Sequence, residues 1–407
     1  MRVRTGQPGG PARGAGAVRR VRKAAYYAKW LTRYAAMMAV ALVASIPLRR
    51  SRAWDDLWLI AERDNEASDS GYQLYRYILE HHPRVNVRYV LDSASPEYAA
   101  MPYKGNVVQP GSLRHYLCDI LSTKSLSTYL YGASPGRYFC LLFLPLMRRK
   151  TIVCLQHGVT KDSVPHAGLF HGRIVISSPT EKAFYLQSGY RHPAGFLPVG
   201  LARFDALVDD SARRERATIL VMPTFRSWLE PNHGVADFEA SQFFRAWNGF
   251  LSDERLREVL ERRNLSLIFC LHWKFRPYAR YFTPAAPWIE IADPRTSRLR
   301  HLKRQCAALI TDYSSVFVDF AYLGKPSAFY QFDADRFFSD HHAGGVHPYP
   351  FGDYADGPAD LVALIDGWAA SGFALGPARR AELDQFFYHR DRCNAQRNFD
   401  VIAALRP

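Results

Sequence analysis

The sequence predicts an α/β protein built from two doubly wound parallel sheets. From residue 54 onward, short apolar runs alternate with amphipathic stretches, which is the pattern of parallel sheets with crossover helices. The 407 residues are enough for two domains with full cores. With 48% hydrophobic and 14% aromatic residues the chain has ample surface to bury, so extensive disorder is excluded. No repeat of 20–50 residues is visible, which excludes solenoids and propellers.

The first half of this region contains six predicted strands and three predicted helices. The strands are expected at Leu57–Ala61, Val85–Leu91, Ser125–Tyr131, Thr151–Leu155, Arg173–Ser177 and Phe196–Val199, and the helices at Gly71–His82, Ser112–Ser122 and Pro179–Gly189.

The second half repeats the alternation. Strands are expected at Thr218–Met222, Ser266–Cys270, Trp288–Ala292, Ala307–Ile310 and Ser327–Tyr330, and helices at Ala240–Arg263, Thr296–Lys303, Ser314–Leu323 and Ala359–Ala370. The polar, strand-free stretch at 209–214 predicts the boundary between two domains, at 53–208 and 209–380. Residues 1–52 form a separate basic tail, and 381–407 a C-terminal helical segment.

The positive charge of the chain is concentrated at its N-terminus. The net charge is +15, but residues 1–52 hold 12 Lys and Arg and no Asp or Glu, which leaves 41 basic and 38 acidic residues in the body. A nearly neutral body without a basic stripe argues against a nucleic-acid partner. A basic-tailed scaffold or nucleic-acid binder with an inactive body is therefore the least favoured class.

The basic tail has the composition of a membrane-associating segment. Residues 1–18 are Gly-, Pro-, Arg- and Ala-rich and are expected to be disordered. Basic residues and aromatics then interleave at 19–34, which is typical of a helix in a membrane interface. The apolar run at 35–48 is short, so a conventional membrane-spanning helix is not predicted. A cytoplasmic-face anchor, a cleaved export signal and a helix docked on the protein itself remain open.

No metal site or standard cofactor loop is predicted. The six cysteines are scattered without zinc-ligand spacing, which suits a reducing compartment. His341, His342 and His347 lie in a Gly- and Pro-rich loop without an acidic cluster. GxGxxG and GxxxxGK[ST] motifs are absent, so the dinucleotide and P-loop interpretations lack support.

Polar chemistry instead follows the predicted strands, where open parallel sheets bind ligands. His157 comes directly after the strand at 151–155, and its ordinary pKa suits a general base. Gly158 allows a phosphate to approach the backbone, and Lys161 could meet that phosphate as a cation. A histidine that only caps a loop is the alternative.

Two further strand ends carry donors in the second domain. Thr224 and Arg226 follow the strand at 218–222, although a surface turn explains them equally well. His272 follows the strand at 266–270 beside Lys274 and Arg276, where a solvated basic loop is the alternative.

A fourth strand end leads into a predicted helix. Thr311 and Asp312 close the strand, and Ser314 and Ser315 begin the helix, where free N–H groups can bind an anion. A plain serine cap explains the same residues. Asp319 lies one turn further along.

Taken together, these segments resemble the CDP-glycerol glycerophosphotransferases, the family of teichoic-acid and capsule polymerases. The resemblance extends over most of residues 54–403. It is carried by the segments Glu62–Tyr72, Leu155–Asp162, Val199–Asp205, Met222–Arg226, Leu309–Phe320 and Phe386–Arg397. This chain departs from the family pattern at Gln156, where many members have Trp, at Ala202, where many have Pro, and at Trp273 after the second histidine.

The resemblance implies a GT-B-like fold of two Rossmann-like domains, with a C-terminal helix that crosses back onto the first domain. It also implies a membrane-associated bacterial enzyme, peripheral on the cytoplasmic face and bound to an anionic membrane surface. Its donor would be CDP-glycerol or another CDP-polyol, and its acceptor a lipid-linked glycerol phosphate or glycan. Oligomeric state cannot be read from the sequence.

The mechanism expected on this basis is attack of an acceptor hydroxyl on the β-phosphorus of the donor, with release of CMP. His157 is the predicted general base, and His272 is predicted to hold or protonate the pyrophosphate. The predicted substrate-binding residues are Gly158, Lys161, Arg203, Thr224, Arg226, Thr311, Asp312, Ser314, Ser315, Asp319, Asp391 and Arg397. Arg203 and Asp312 could instead maintain the architecture. No cofactor and no metal are expected. The alternative activity is a sugar transferase that uses a nucleotide-sugar donor, since the same fold serves sugar transferases and polyol-phosphate transferases.

Overall fold

The computed structural model describes residues 12–101, 103–136, 150–160, 164, 167–230, 235–293, 299–340 and 351–406. Lys161 and the three histidines at 341, 342 and 347 lie outside the described residues. The chain contains two parallel sheets of seven and six strands, so the predicted α/β class is confirmed.

The first sheet has the strand order β3-β2-β1-β4-β5-β6-β7. Its strands are β1 (Trp58–Ala61), β2 (Val87–Val90), β3 (Val107–Val108), β4 (Lys124–Ser127), β5 (Thr151–Cys154), β6 (Arg173–Val175) and β7 (Phe196–Leu197). β1 pairs in parallel with β2 on one side and β4 on the other, which places a topological switch point at β1 and β4. β1 and β4 are buried along their whole length; β1 is wholly apolar, whereas β4 has the sequence Lys-Ser-Leu-Ser.

The second sheet has the order β10-β9-β8-β11-β12-β13. Its strands are β8 (Ala217–Met222), β9 (Leu265–Cys270), β10 (Ile289–Ala292), β11 (Ala308–Thr311), β12 (Ser327–Phe329) and β13 (Asp353–Tyr354). Numbered within the sheet, this is the 3-2-1-4-5-6 order of a Rossmann fold, with its switch point between β8 and β11. The two-residue strands β3 and β13 were not predicted, because two residues show no periodicity.

Fourteen α-helices occur in the part of the chain that the structure describes. They are α1 (Ala12–Leu48), α2 (Ser70–His81), α3 (Pro96–Ala100), α4 (Leu113–Leu121), α5 (Pro179–Gln187), α6 (Val235–Glu239), α7 (Gln242–Leu251), α8 (Glu254–Arg262), α9 (Leu299–Gln305), α10 (Phe317–Tyr322), α11 (Ala334–Asp340), α12 (Pro358–Ala370), α13 (Pro377–Phe386) and α14 (Asn394–Ala404).

Three helix predictions require correction. The helix expected over 240–263 is two helices, because Asp253 caps α8 by accepting from the Arg255 N–H and so interrupts the first helix. The C-terminal segment likewise holds two helices, α13 and α14. α1 begins at Ala12, inside the segment expected to be disordered, because its Ala and Arg residues favour helix.

The N-terminal segment, for which no conventional membrane-spanning helix was predicted, holds one candidate span among the described residues. The 24 residues Ala25–Leu48 form a helix long and apolar enough to cross a membrane by length and composition. The apolar run was too short by itself, but the helix continues without a break through the aromatic segment before it. Core helices and signal sequences pass the same test, so this finding alone does not show a membrane span.

The chain divides into two compact units. The first comprises residues 1–67, 78–152 and 406–407, and the second 68–77 and 153–405. In the first unit, α1 packs on α4 through Tyr34, whose ring lies 5.7 Å from that of Tyr116. In the second unit, an apolar core forms around β8, β9 and helices α7, α8 and α12, with Trp247 and Phe250 fully buried.

Candidate functional site

His157 lies on a sharp turn directly after β5. The preceding Gln156 is buried and has a φ of 55°, in the left-handed region that non-glycine residues rarely adopt. Its side chain donates to the carbonyl of Val175 at 2.6 Å and to Oε1 of Glu181 at 2.9 Å. These bonds hold Gln156 inward and leave His157 exposed.

Glu181 is the buried anchor of this turn. Its carboxylate accepts hydrogen bonds from the backbone N–H of Thr160 at 3.1 Å, of Ser177 at 2.6 Å and of Ser178 at 3.1 Å. Burial raises the pKa of Glu181, and the bonds from Ser177 and Thr160 oppose that rise. The network ties the ends of β5 and β6 together and keeps the His157 turn in one conformation.

The His157 turn lies against the segment that follows β11. A Cβ on Gly158 would lie 3.7 Å from Oγ of Ser315, which is ordinary contact distance. Gly158 follows β5 of the first sheet, and Ser315 follows β11 of the second sheet. These two strand ends therefore come together within the second compact unit. The sequence predicted both residues as site residues.

Ser314 and Ser315 do not begin a helix, contrary to the prediction. α10 starts at Phe317 and has six residues, and the Ser314 hydroxyl accepts from the Val316 N–H at 3.3 Å. This local bond favours a turn over an earlier helix start. The two serines therefore lie just before α10 and not in its first turn, and their half-buried hydroxyls lie at the end of β11.

Thr311, Asp312 and Arg226 form a framework beneath the switch point of the second sheet. The Thr311 hydroxyl donates to the carbonyl of Met222 at 2.6 Å. Asp312 accepts from the N–H groups of Thr224 at 2.8 Å and Tyr313 at 2.6 Å, and lies 2.9 Å from the Arg226 guanidinium. This carboxylate therefore joins the loops after β8 and β11.

Arg226 is fully buried and its donors are engaged. It donates to both oxygens of Asp333, at 2.8 and 2.9 Å, and to the carbonyl of Thr224 at 2.7 Å. The expected contact of Arg226 with substrate does not fit this placement, because no part of the side chain reaches the surface. Its role here is to hold Asp312 and Thr224.

Thr224 is placed differently from its neighbours. Its backbone is held by Asp312, but its Oγ1 is buried and makes no hydrogen bond to any residue that the structure describes. A buried hydroxyl without a partner at a switch point is suited to a ligand.

His272 lies just after β9 at the same edge of the second sheet. Its Nδ1 accepts from the Lys274 N–H at 3.4 Å, and its ring is 5.2 Å from that of Phe225. Burial lowers the pKa of His272, and the nearby Lys274 ammonium lowers it further. The side chain is therefore neutral at pH 7, with the remaining proton on Nε2, which can donate to a phosphate oxygen.

Arg203 and Asp319 pair with each other rather than pointing to open solvent. The Arg203 guanidinium bonds the buried Asp319 carboxylate, whose other oxygen lies 2.6 Å from Nζ of Lys303. Asp69 lies 3.8 Å from the same guanidinium, and burial raises its pKa to about 6 against the lowering effect of Arg203. This cluster joins four separate segments, which supports the architectural alternative for Arg203.

The C-terminal candidates also pair locally. Arg397 bonds Asp391, and Asp391 accepts from the Cys393 N–H at 3.1 Å. Asp205, from the same family segment as Arg203, instead caps α14 by accepting from the N–H groups of Asn394 and Ala395.

Several residues of the site were not predicted. Asp69, Lys303 and Asp333 become recognisable only through their tertiary partners. Glu181 had a local signal, because Ser178 and Glu181 form a capping box that is visible as Ser-x-x-Glu in the sequence. Among the described residues no group of three His, Cys, Asp or Glu side chains could hold a metal ion.

Histidines and hydroxyls lie at the strand ends of two doubly wound parallel sheets, which defines an α/β protein of the Rossmann-like class. A family model described as CDP-Glycerol:Poly(glycerophosphate) glycerophosphotransferase matches residues 174–404, more than half of the chain. The chain belongs to this family of phosphotransferases, which confirms the resemblance seen in the sequence.

Curated relatives and solved structures agree with this assignment. The chain is 26% identical over 365 residues to the minor teichoic acid biosynthesis protein GgaB of Bacillus subtilis, covering 86% of this chain and 40% of GgaB. It is 26% identical over 197 residues to the teichoic acid ribitol-phosphate polymerase TarK of Staphylococcus aureus, covering 43% of this chain and 34% of TarK. The chain thus spans less than half the length of these relatives.

The fold is similar to that of the wall teichoic acid polymerase TagF. One TagF structure superposes with a TM-score of 0.67 at 15% identity, covering 95% of this chain and 97% of the TagF chain. At this identity the likeness concerns the fold alone, and it supports the GT-B-like architecture of two parallel-sheet domains.

Proposed function

We propose that this chain transfers a polyol phosphate, with glycerol phosphate favoured, from a CDP-activated donor to a hydroxyl of a lipid-linked acceptor in teichoic-acid-like or capsular polymer synthesis. The observation that carries the proposal is the approach of the His157–Gly158 turn to Ser315. It brings an exposed histidine to the hydroxyl-bearing switch point of the second sheet. The printed names of the relatives support teichoic acid synthesis, and one TagF structure is of a histidine variant soaked with CDPG.

In this mechanism His157 accepts the proton of the acceptor hydroxyl. The hydroxyl oxygen forms a new bond to the β-phosphorus of the donor, and the bond from that phosphorus to the bridging oxygen breaks. The electron pair of the broken bond leaves on CMP. Nε2–H of His272, the Thr224 hydroxyl and the hydroxyls of Ser314 and Ser315 are suited to hold the phosphate oxygens while charge shifts between them.

The same proposal assigns sides to the two domains. Residues 53–208 would form the acceptor side and 209–380 the donor side. α1 would bind the cytoplasmic face of a bacterial membrane, because it presents Val40, Val43 and Ile46 to solvent at exposures of 54%, 70% and 65%. Basic residues before this apolar face would favour anionic lipid.

The test is CMP release by the purified chain given CDP-glycerol, CDP-ribitol or a UDP-sugar, together with a lipid-linked glycerol phosphate acceptor. We expect CMP from one CDP-polyol and a fall in kcat of about 10²-fold or more in His157→Ala. His81→Ala is the matched control, since His81 is exposed at the end of α2 and belongs to no site segment.

Release of UDP alone would instead favour the glycosyltransferase alternative. A His157→Ala variant that folds and keeps its kcat would remove His157 from the role of base. Activity in excess EDTA tests the expected metal independence, and a loss that Mg²⁺ restores would contradict it.

A further inference from the structure

The first compact unit contains a cavity of about 600 Å³ that none of the predicted site residues lines. Its volume lies within the roughly 300–1,000 Å³ typical of ligand pockets. One wall is the middle part of α1, and other lining residues come from the carboxyl ends of β1, β2 and β4.

The cavity lies at the switch point of the first sheet. Ala61 and Glu62 line it at the end of β1, and Ser127 lines it at the end of β4, the two strands between which the order reverses. Open parallel sheets bind ligands at this place. The position is therefore that of a binding site, not of a packing defect between helices.

The wall from α1 is aromatic. Tyr26, Tyr27, Trp30 and Tyr34 all line the cavity. The rings of Trp30 and Tyr34 are almost parallel, with an interplanar angle of 8° and centroids 6.1 Å apart. Flat rings beside a cavity offer apolar surfaces on which the C–H face of a pyranose can lie, and they lose little conformational entropy on binding.

The other side of the cavity is polar and rigid. His115 is buried and both its ring nitrogens are engaged, with Nε2 donating to the Ala133 carbonyl at 2.8 Å and Nδ1 accepting from the Gly111 N–H at 3.1 Å. His115 lines the cavity and joins the loop at Gly111 to the loop at Ala133. Glu62, only 2% exposed, is a buried carboxylate that lines it.

The described lining also offers acceptors for hydroxyl groups. Glu62 and Asp64 line the cavity with carboxylates, and Arg33 lines it with a guanidinium. Carboxylates accept hydrogen bonds from hydroxyl groups, so the described lining suits a polyhydroxyl ligand.

We propose that this cavity binds a glycosyl residue and, resting on the proposed function, that this residue belongs to the acceptor. A wall formed by α1 would then couple acceptor binding to the segment proposed to meet the membrane. The polyol phosphate and the donor would bind elsewhere, at the strand ends that carry His157 and His272.

The test is saturation-transfer-difference NMR on the 407-residue chain with glucose, galactose and N-acetylglucosamine as probes, and glycerol 3-phosphate as the anionic competitor. At least one sugar is expected to bind, and glycerol 3-phosphate is expected not to displace it. Glu62→Gln preserves side-chain volume and Tyr27→Ala changes a half-exposed ring, so both variants should fold. Each is expected to weaken sugar binding by about tenfold or more.

Glu97→Gln and Tyr103→Ala are the matched controls, being the same changes in the same unit away from the cavity lining. CDP-glycerol binding, measured on the same samples, separates the two proposals. Sugar binding that the cavity variants leave unchanged, displacement by glycerol 3-phosphate, or no sugar binding by a chain that binds CDP-glycerol would each overturn the inference. Sugar binding by a chain that uses no CDP-polyol would retain the cavity site and contradict the proposed function.

Discussion

At the residue scale, the conspicuous polar residues of the sequence divide into those at the surface and those beneath it. His157, His272, Ser314 and Ser315 reach the strand ends where a ligand can bind. Asp312 and Arg226 are equally polar but fully buried. A buried charge persists only when it is paired, and each of these has its partner in the other. Sequence spacing could not separate the two groups, because burial is a tertiary property.

Asp69 leads to a prediction for the pH dependence of stability. Its pKa in the folded protein is raised to about 6, above the value of about 4 for an unfolded aspartate. The folded state therefore binds the proton more tightly, and the free energy of unfolding falls as pH rises from about 4 to 6. In Asp69→Asn this decline is expected to diminish.

Urea unfolding at pH 4, 5, 6 and 7 measures the effect, with the exposed Asp400→Asn as control. An undiminished decline in Asp69→Asn would show that another group is responsible.

His272 leads to a prediction for the pH dependence of catalysis. Its pKa is lowered by burial first and by Lys274 second, which favours the neutral ring. Lys274→Ala removes one cause, and the acid limb of kcat/KM for the CDP-polyol is expected to move to higher pH. Lys274→Arg keeps the charge and is expected to leave the limb in place. The same profile for Lys274→Ala and the parent chain would mean that His272 does not set that limb.

At the scale of elements, the Val199–Asp205 segment shows how a short motif serves folding. Arg203 bonds Asp319 of α10, and Asp205 caps α14. Gly200 has a φ of 77°, and a Cβ there would lie 2.1 Å from Oδ1 of Asn394. Each member of the motif therefore binds a helix far along the chain. The motif was visible in the sequence, but its partners were more than 100 residues away.

Gly200→Ala is therefore expected to destabilise the protein by about 2 kcal/mol or more, since it combines an unfavourable φ with a steric clash at Asn394. Gly249→Ala is the control, because Gly249 lies inside α7 with open space around it. There alanine should stabilise the helix by about 0.5–1 kcal/mol. Thermal unfolding of the two variants compares them, and equal stabilities would contradict the close approach of Asn394.

At the scale of the whole molecule, the N-terminal helix is docked on the protein itself, which is one of the three interpretations left open by the sequence. One face packs on the first unit through Tyr34, Met38 and Ala41, which are buried. The opposite face presents Val40, Val43 and Ile46 to solvent. Deleting the segment would therefore expose the core beside α4 as well as removing the face proposed to meet the membrane.

Substitution of the outer face tests membrane binding without disturbing the docked face. The triple variant Val40→Gln, Val43→Gln, Ile46→Gln is expected to bind phosphatidylglycerol-containing liposomes at least tenfold more weakly than the parent chain. CMP release with a soluble acceptor analogue should persist in the triple variant. Co-sedimentation measures the binding, with Leu169→Gln, an exposed apolar position in the second unit, as control. Undiminished sedimentation of the triple variant would contradict the anchor.

The sequence by itself determined the fold class and the positions of the longer strands along the chain. It also determined that His157 and His272 each follow a strand. These depend on local periodicity and on the fact that parallel strands end in ligand-binding loops. Only the tertiary structure decided that Ser314 and Ser315 precede α10 rather than begin it, that Arg226 is buried, and that aromatic residues of α1 line a cavity at the first switch point. Each of these depends on contacts between residues far apart in the chain, whose burial and pairing energies override local propensity.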